Sequence, residues 1–231
     1  MAAVLTGTPV AVAWAAGINP AGQSITIPAD ATAVYMVWSY AVGANGHGLA
    51  SVTLNGASPN QTYEIASTSS YDVATGVAVW YSPSTGSQTL DPAWDIAPEE
   101  GPSTIVFFTK AGNLTTWADV DAAHATGVTA VTVTLTTTSG DLVVKFDQRY
   151  NGNTAGPPAL SSGWANGQTQ TANVESSRLS YISATGSTQV CNSENEDYSS
   201  VVAIAIGPSA GGGGGGTQPP RSMNQFRLRR A

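Results

Sequence analysis

Residues 91–102, DPAWDIAPEEGP, place four carboxylates around one tryptophan. Glycoside hydrolysis needs two carboxyl groups that flank a sugar, about 5 to 9.5 Å apart, and a single loop can hold such a pair. Asp95 and Glu99 are the candidate acid and base. Three prolines and an acidic pair are equally typical of an ordinary turn, and we expect no enzymatic activity.

Candidate metal ligands are few. SENEDYS offers Glu194, Glu196 and Asp197 as oxygen ligands for calcium, but without the spacing of a calcium-binding loop. His47 and His124 are the only histidines, and no second histidine or cysteine stands at metal-site spacing. The glycine patterns of nucleotide-binding loops are also absent. We therefore expect no metal and no cofactor.

Tryptophan is the remaining candidate binding residue. Trp38 and Trp80 lie in strand-like segments and are predicted to be in the core. Trp94, Trp117 and Trp164 lie in loop-like segments, where exposed rings would stack on sugar rings and bind glycans. Burial in a protein interface is the alternative for these three side chains.

Ten β-rich segments separated by Gly, Pro, Asn, Asp or Ser indicate the fold class. They are SITIP, AVYMVWSY, LASVTLNG, QTYEIAS, GVAVWYS, STIVFFTK, AVTVTLTTTS, DLVVKFDQ, RLSYISA and SVVAIAIGP. The sequence predicts an all-β protein, a single antiparallel β-sandwich of jelly-roll or immunoglobulin-like type with a flexible C-terminal arm. No internal repeat is evident, so residues 1–208 form one predicted domain. Only NLTTWADVDAAHATG has helical spacing, and it predicts a helix of one or two turns.

Three local patterns refine this prediction. In TAVTVTLT, valines and leucine alternate with threonines, which predicts one dry and one wet strand face. DLVVKFDQ repeats the pattern, with Leu142, Val144 and Phe146 on the dry face, and Ser-Gly-Asp between the two segments predicts a hairpin. SVVAIAIGP is apolar on both faces, which predicts a central strand.

Charge is distributed unevenly along the 231 residues. Only 10% of residues are charged, and four of the eight basic residues are arginines in the last eleven positions. Residues 1–210 hold the other four basic residues and all fifteen acids, a net charge of −11. The lone Cys191 can form no internal disulfide and is predicted to be a small buried residue.

The chain after Pro208 has a different composition. Residues 209–220 are a Gly/Pro-rich linker, and residues 221–231, RSMNQFRLRRA, are a basic peptide with apolar side chains. We interpret this peptide as an arm that docks on a protein partner. Its predicted docking residues are Arg221, Met223, Phe226, Arg227, Leu228, Arg229 and Arg230. A solubilising tail is the alternative, and nucleic-acid binding is disfavoured because the acidic body opposes it.

No segment has the features of a secretory signal or the roughly 18 apolar residues of a membrane-spanning helix. We expect a protein made in a host cytoplasm, with no membrane partner.

Four segments carry a resemblance to a known family. ITIPADATAVYMVWS, LASVTLNG, EGPSTIVFFTKAG with WADVDAA, and SSVVAIAIGP are similar to β-sandwich structural proteins of tailed bacteriophages and gene-transfer-like particles. The resemblance covers residues 20–208 and its motifs are loose. It implies a non-enzymatic component of the virion: a head decoration protein, a spike or a tail accessory protein, some of which attach to host-surface polysaccharide.

These observations lead to one functional expectation. The protein would be a multi-copy or homo-oligomeric part of a virion, with capsid or tail proteins of the same particle as partners of the arm and host-surface polysaccharide as a further partner. The alternative is a carbohydrate-binding module that acts independently of a particle.

Overall fold

The computed structural model is all-β, as the sequence predicts. It describes residues 1–14, 17–42, 46–66, 72–98, 102–111, 116–126, 130–150, 156–172, 175–194 and 198–208. Fifteen strands lie in these ranges: β1 (Val4–Ala13), β2 (Gln23–Ile27), β3 (Ala33–Val42), β4 (Leu49–Leu54), β5 (Gln61–Ile65), β6 (Asp72–Tyr81), β7 (Gly86–Trp94), β8 (Ser103–Lys110), β9 (Asp119–Thr126), β10 (Thr132–Thr136), β11 (Leu142–Tyr150), β12 (Ala165–Ala172), β13 (Glu175–Ser183), β14 (Thr188–Asn192) and β15 (Tyr198–Ile206).

The first eight strands form two antiparallel sheets. The inner N sheet has the order β1-β8-β3-β6-β5, and the outer N sheet has the order β2-β7-β4. This is the pairing order of a jelly roll, except that β5 joins the larger sheet. The structure thereby favours the jelly-roll alternative over the immunoglobulin-like one.

The last seven strands repeat the same pairing order. The inner C sheet has the order β12-β13-β11-β15-β9, and the outer C sheet consists of β10 and β14. Strands β9, β10 and β11 take the places of β1, β2 and β3, and β12 to β15 take the places of β5 to β8. Among the described residues no strand corresponds to β4, and residues 156–164 stand at its place in the chain order. The repeat is thus one of topology, without a visible repeat of sequence.

Four layers result, with three hydrophobic clusters between them. One cluster lies between the outer and inner N sheets, a second between the two inner sheets, and a third between the inner and outer C sheets. In the middle layer the sheets face each other strand by strand, with β1 on β12, β8 on β13, β6 on β15 and β5 on β9. Both inner sheets are therefore covered on both faces.

The two ends of this stack differ. At one end, here called the far end, the inner sheets meet through polar side chains: the Ser39 and Ser200 hydroxyls are 2.9 Å apart, and those of Ser103 and Ser177 are 2.5 Å apart. At the opposite end, here called the exit end, β15 finishes at Ile206. Six residues of extended strand separate Ser200 from Ile206, about 20 Å.

All ten predicted strand segments are strands, but three local predictions were wrong. The predicted helix is β9, an edge strand of the inner C sheet whose backbone pairs with β15 from Asp119 to Thr126. Extended pairing overrides the weak helical spacing there. The predicted hairpin at Ser139-Gly140-Asp141 is a corner, because β10 pairs with β14 and not with β11.

The third correction concerns β11. Its supposed wet face is buried: Lys145 and Asp147 are 1% and 2% exposed, because the outer C sheet side is covered too. The alternation in β10 is confirmed, since Val131, Val133 and Leu135 are buried and the intervening threonines are exposed. The central position of β15, between β11 and β9, is also confirmed.

The shared middle layer predicts that the two halves unfold together. Phe107 stacks on Tyr35 in this layer, with ring centroids 4.7 Å apart and both side chains fully buried. Phe107→Ala should lower the free energy of unfolding by about 3 to 5 kcal/mol and shift one common thermal transition. Val190→Ala, at a side chain that is 49% exposed, is the control and should change stability by less than about 0.5 kcal/mol. Calorimetry that resolved two transitions, only one of them shifted, would contradict the shared core.

Candidate functional site

The strongest polar site of the described chain begins with a row of three residues across the inner N sheet. Glu64 of β5 pairs with Gly76 of β6, and Gly76 pairs with Trp38 of β3. A Cβ atom on Gly76 would lie 2.6 Å from Cζ2 of Trp38 and 2.5 Å from the Tyr63 carbonyl oxygen. Glycine at this position therefore lets the Trp38 ring cover the strand beside the Glu64 carboxyl group.

Two carboxyl groups hold the chain that enters β4. Oε1 of Glu64 accepts a hydrogen bond from the Leu49 backbone N–H at 2.7 Å, and Oδ1 of Asp95 accepts one from the Gly48 N–H at 2.8 Å. Nδ1 of His47 lies 3.4 Å from Oδ2 of Asp95. A Cβ atom on Gly48 would lie only 2.5 Å from Oε1 of Glu64, so only glycine fits this close approach.

Two aromatic side chains lie next to the carboxyl groups. Tyr40, two residues after Trp38 on the same face of β3, packs against Trp94 at the end of β7, with ring centroids 4.7 Å apart. Both are at most 1% exposed. Within the described residues, neither the Tyr40 hydroxyl nor Trp94 Nε1 makes a hydrogen bond. Buried donors of this kind usually have a partner. Other buried side-chain atoms of the described residues also lack one, so what distinguishes these two donors is their position beside the carboxyl groups.

The pKa values in the site are raised by burial and by neighbouring negative charges. Burial raises the pKa of Glu64 to about 7, the Leu49 N–H and the Trp38 indole oppose that rise, and the charge of Asp95 adds to it. Burial, and then the charges of Glu64 and Asp95, raise the pKa of Tyr40. The tyrosine is therefore a neutral hydrogen-bond donor, while Glu64 can both donate and accept near neutral pH. His47 and Asp95, with side chains 34% and 39% exposed, form the solvent side of the site.

The three tryptophans predicted to bind glycans occupy different places. Trp94 is 1% exposed and belongs to the core between the N sheets, and Trp117 is 9% exposed and packs in the middle layer. Trp164 is half-buried against the third cluster, with the ammonium group of Lys145 5.1 Å from its ring centroid. The structure does not bring them together. A stacking platform needs exposed ring faces, so burial argues against Trp94 and Trp117 in that role. Trp38 and Trp80, predicted to be core residues, are buried.

Several predicted residues lie outside the described ranges. These are Glu99, Glu196, Asp197 and the whole predicted docking set Arg221, Met223, Phe226, Arg227, Leu228, Arg229 and Arg230. Cys191 is buried, as predicted. His124, in the segment predicted to be a short helix, lies in β9, opposite Ser200 of β15.

A second polar cluster lies in the C-terminal half. Nζ of Lys145 is 2.7 Å from Oδ2 of Asp147, 3.1 Å from Oγ of Ser161 and 3.0 Å from the Asn192 carbonyl oxygen. These contacts use all three ammonium hydrogens. Burial raises the pKa of Asp147 to about 6, against the effect of Lys145. With its cation already saturated, the cluster is a structural anchor.

This cluster fixes the segment that stands in place of a β4 counterpart. Arg178 donates to the Pro158 carbonyl oxygen at 2.5 Å, and Glu194 accepts from the Ala159 N–H at 2.8 Å. Glu194 also pairs with Arg149 at 3.0 Å. Side-chain contacts thus hold residues 156–161 where the N-terminal half uses strand pairing.

The described residues contain no group of three or more His, Cys, Asp or Glu side chains that could hold a metal ion. No helix in the described ranges is long and apolar enough to cross a membrane. Comparisons with protein-family models, with curated proteins and with solved structures find no match. The site must therefore be interpreted from its own chemistry.

Sequence reasoning named Asp95, which it paired with Glu99, and Trp94, which it predicted to be an exposed stacking residue. It missed Glu64, which lies in the strand segment QTYEIAS and looks like an ordinary solvent-facing residue there. The available signal was the pair of glycines at 48 and 76, but their significance depends on strand register, which the sequence does not reveal.

The raised pKa of Glu64 predicts a specific pH dependence of stability. Between pH 4.5, its ordinary pKa, and pH 7, the folded protein binds more protons at Glu64 than the unfolded chain does. Stability should therefore fall as pH rises through this window, by up to about 3 kcal/mol. Glu64→Gln keeps an acceptor for the Leu49 N–H and cannot ionise, so urea unfolding at pH 4.5, 6 and 7.5 should show a smaller fall for the variant.

Asp30→Asn is the control. Hydrogen bonds from Thr6 and Lys110 lower the pKa of Asp30 from its ordinary 3.8, so its stabilisation is lost only at pH values below this window. The variant should therefore keep the wild-type slope between pH 4.5 and 7.5. Equal pH slopes for the wild type and Glu64→Gln would contradict the assigned proton affinity of Glu64.

Proposed function

We propose that this protein is a non-enzymatic structural component of a phage virion, a head decoration protein, spike or tail accessory protein. Its C-terminal arm attaches it to the particle and its far end contacts host-surface glycans. The observation that carries the proposal is the end of the body at which β15 finishes. The chain leaves the body at one end, and the candidate site lies at the other.

The contacts at the exit end support this polarity. The Ala118 N–H donates to the Ala205 carbonyl oxygen at 2.7 Å, and Gly207 lies beside Ala118 and Asp141. The body thus ends in paired strand, and its last described residues lie about 20 Å along the strands from the level of Ser200. A protein held by this arm presents Glu64 and Asp95 away from its support.

The composition of the arm supports docking on protein. Residues 211–216 are six consecutive glycines, a composition typical of a linker between a body and its anchor. Phe226 and Leu228 provide apolar anchors, and Arg227, Arg229 and Arg230 provide charges for an acidic groove on a capsid or tail protein. Many copies on one symmetric particle would add avidity to weak individual contacts.

A second candidate function is a carbohydrate-binding module that acts without a particle. The observation that favours it is the pair of unpartnered buried donors beside two carboxyl groups, which suits a polar ligand whatever the arm binds. The two candidates differ in where the protein is found: on particles at a fixed copy number, or free and on cell surfaces.

Deletion of residues 211–231 should abolish incorporation into particles and leave the body folded. The reason is that the described contacts of the body continue to Gly207, while the proposed anchor residues all follow Pro208. Incorporation is measured as the ratio of this protein to the major shell protein in gradient-purified particles. Asp95→Asn is the control and should be incorporated normally. Wild-type copy number for the deleted protein would refute the arm as anchor.

A further inference from the structure

We propose that the far end of the N-terminal half binds the edge of a neutral sugar, with Asp95 and Glu64 as hydrogen-bond acceptors and Tyr40 and Trp94 as donors. This inference deepens the proposed glycan contact and rests on it. Of the three tryptophans predicted from sequence it keeps only Trp94, as a hydrogen-bond donor and not as a stacking platform, and it adds Tyr40, Glu64 and Asp95.

The unpartnered groups define what the ligand must offer. The Tyr40 hydroxyl and Trp94 Nε1 are buried donors with no acceptor in the described chain. Glu64 and Asp95 each accept one backbone N–H, and Oδ2 of Asp95 also faces Nδ1 of His47 at 3.4 Å. A carboxylate has about four lone-pair sites, so both groups have acceptor capacity left. A ligand that satisfies the site must therefore accept and donate hydrogen bonds at neighbouring atoms.

Charge then selects among ligand classes. A cation would pair with the carboxylates but would leave the two donors without an acceptor. An anion would accept from the donors but would meet Asp95 and the ionised form of Glu64 at close range. Hydroxyl groups both donate and accept and carry no charge, and a sugar presents several on adjacent carbons. The chemistry of the site thus fits a neutral polyhydroxylated ligand.

Access to the site is from the side of His47 and Asp95, whose side chains are 34% and 39% exposed. Behind them Tyr40 and Trp94 are closed to solvent. A sugar hydroxyl group therefore reaches these two donors only when side chains on the solvent side of the site move. The rigid hold on Gly48 and Leu49 keeps both carboxyl groups in place before the ligand arrives, which lowers the entropy cost of binding.

The test is saturation-transfer NMR on the full-length protein with glucose, galactose, mannose and N-acetylglucosamine, each at about 10 mM, because single sugars bind weakly, with Kd near 1 mM. At least one sugar should bind the wild type. Asp95→Asn should weaken that binding at least about fivefold, and Tyr40→Phe about three- to tenfold, as expected for the loss of one hydrogen bond.

Tyr35→Phe is the matched control. It removes a buried tyrosine hydroxyl from the middle layer, far from the carboxyl groups, and should leave sugar binding unchanged. Asp95 is partly exposed, so Asp95→Asn should fold even if Tyr40→Phe does not. No binding by any sugar, or binding unaffected by Asp95→Asn, would overturn the assignment. Spermine, added as a cationic probe, should not bind at this site; spermine binding that Asp95→Asn removes would also overturn it.

The sugar-binding test and the particle-incorporation test can succeed or fail independently of each other. Deletion of residues 211–231 should not change sugar affinity, and Asp95→Asn should not change incorporation into particles. Loss of sugar binding with normal incorporation in the Asp95→Asn variant would support the site and leave the anchor to its own test.

Discussion

The fold depends on burying both faces of two five-stranded antiparallel sheets. Such sheets often leave one face in water, but here each inner sheet packs on its twin and on a smaller outer sheet. This constraint explains why β15 is apolar on both faces and why Lys145 and Asp147 had to be paired. It also couples the stability of the two halves, because Phe107 packs in a cluster to which both halves contribute side chains.

The two halves use one topology for different purposes. Along β3 the side chains that face the outer sheet are Met36, Trp38 and Tyr40, and along β11 they include Lys145 and Asp147. Aromatic groups in the N-terminal half leave polar atoms without partners beside Glu64 and Asp95. In the C-terminal half, Lys145, Arg178 and Glu194 form hydrogen bonds with residues 156–161, the segment that stands in place of a strand.

Strands with alternating or continuously apolar residues could be predicted from sequence, since period and β-branched content are local properties. β9 and β14 could not, because DVDAAHAT and TQVCN are strands through their pairing partners and not through composition. The repeat of topology could not be predicted from the sequence either. Corresponding positions in β3 and β11, such as Trp38 and Asp147, carry side chains of different chemistry. Glu64 became a candidate only when register placed it next to Gly76.

The proposed function gives the acidic body two ends with different partners. One end attaches to a particle through the arm, and the other binds sugars. The central claim is membership of a particle, and mass spectrometry of gradient-purified particles from the source culture tests that claim most directly. The account predicts peptides from residues 1–208 at a fixed, multiple-copy ratio to the major shell protein. Their absence from particles, with the protein recovered free or on cells, would contradict it.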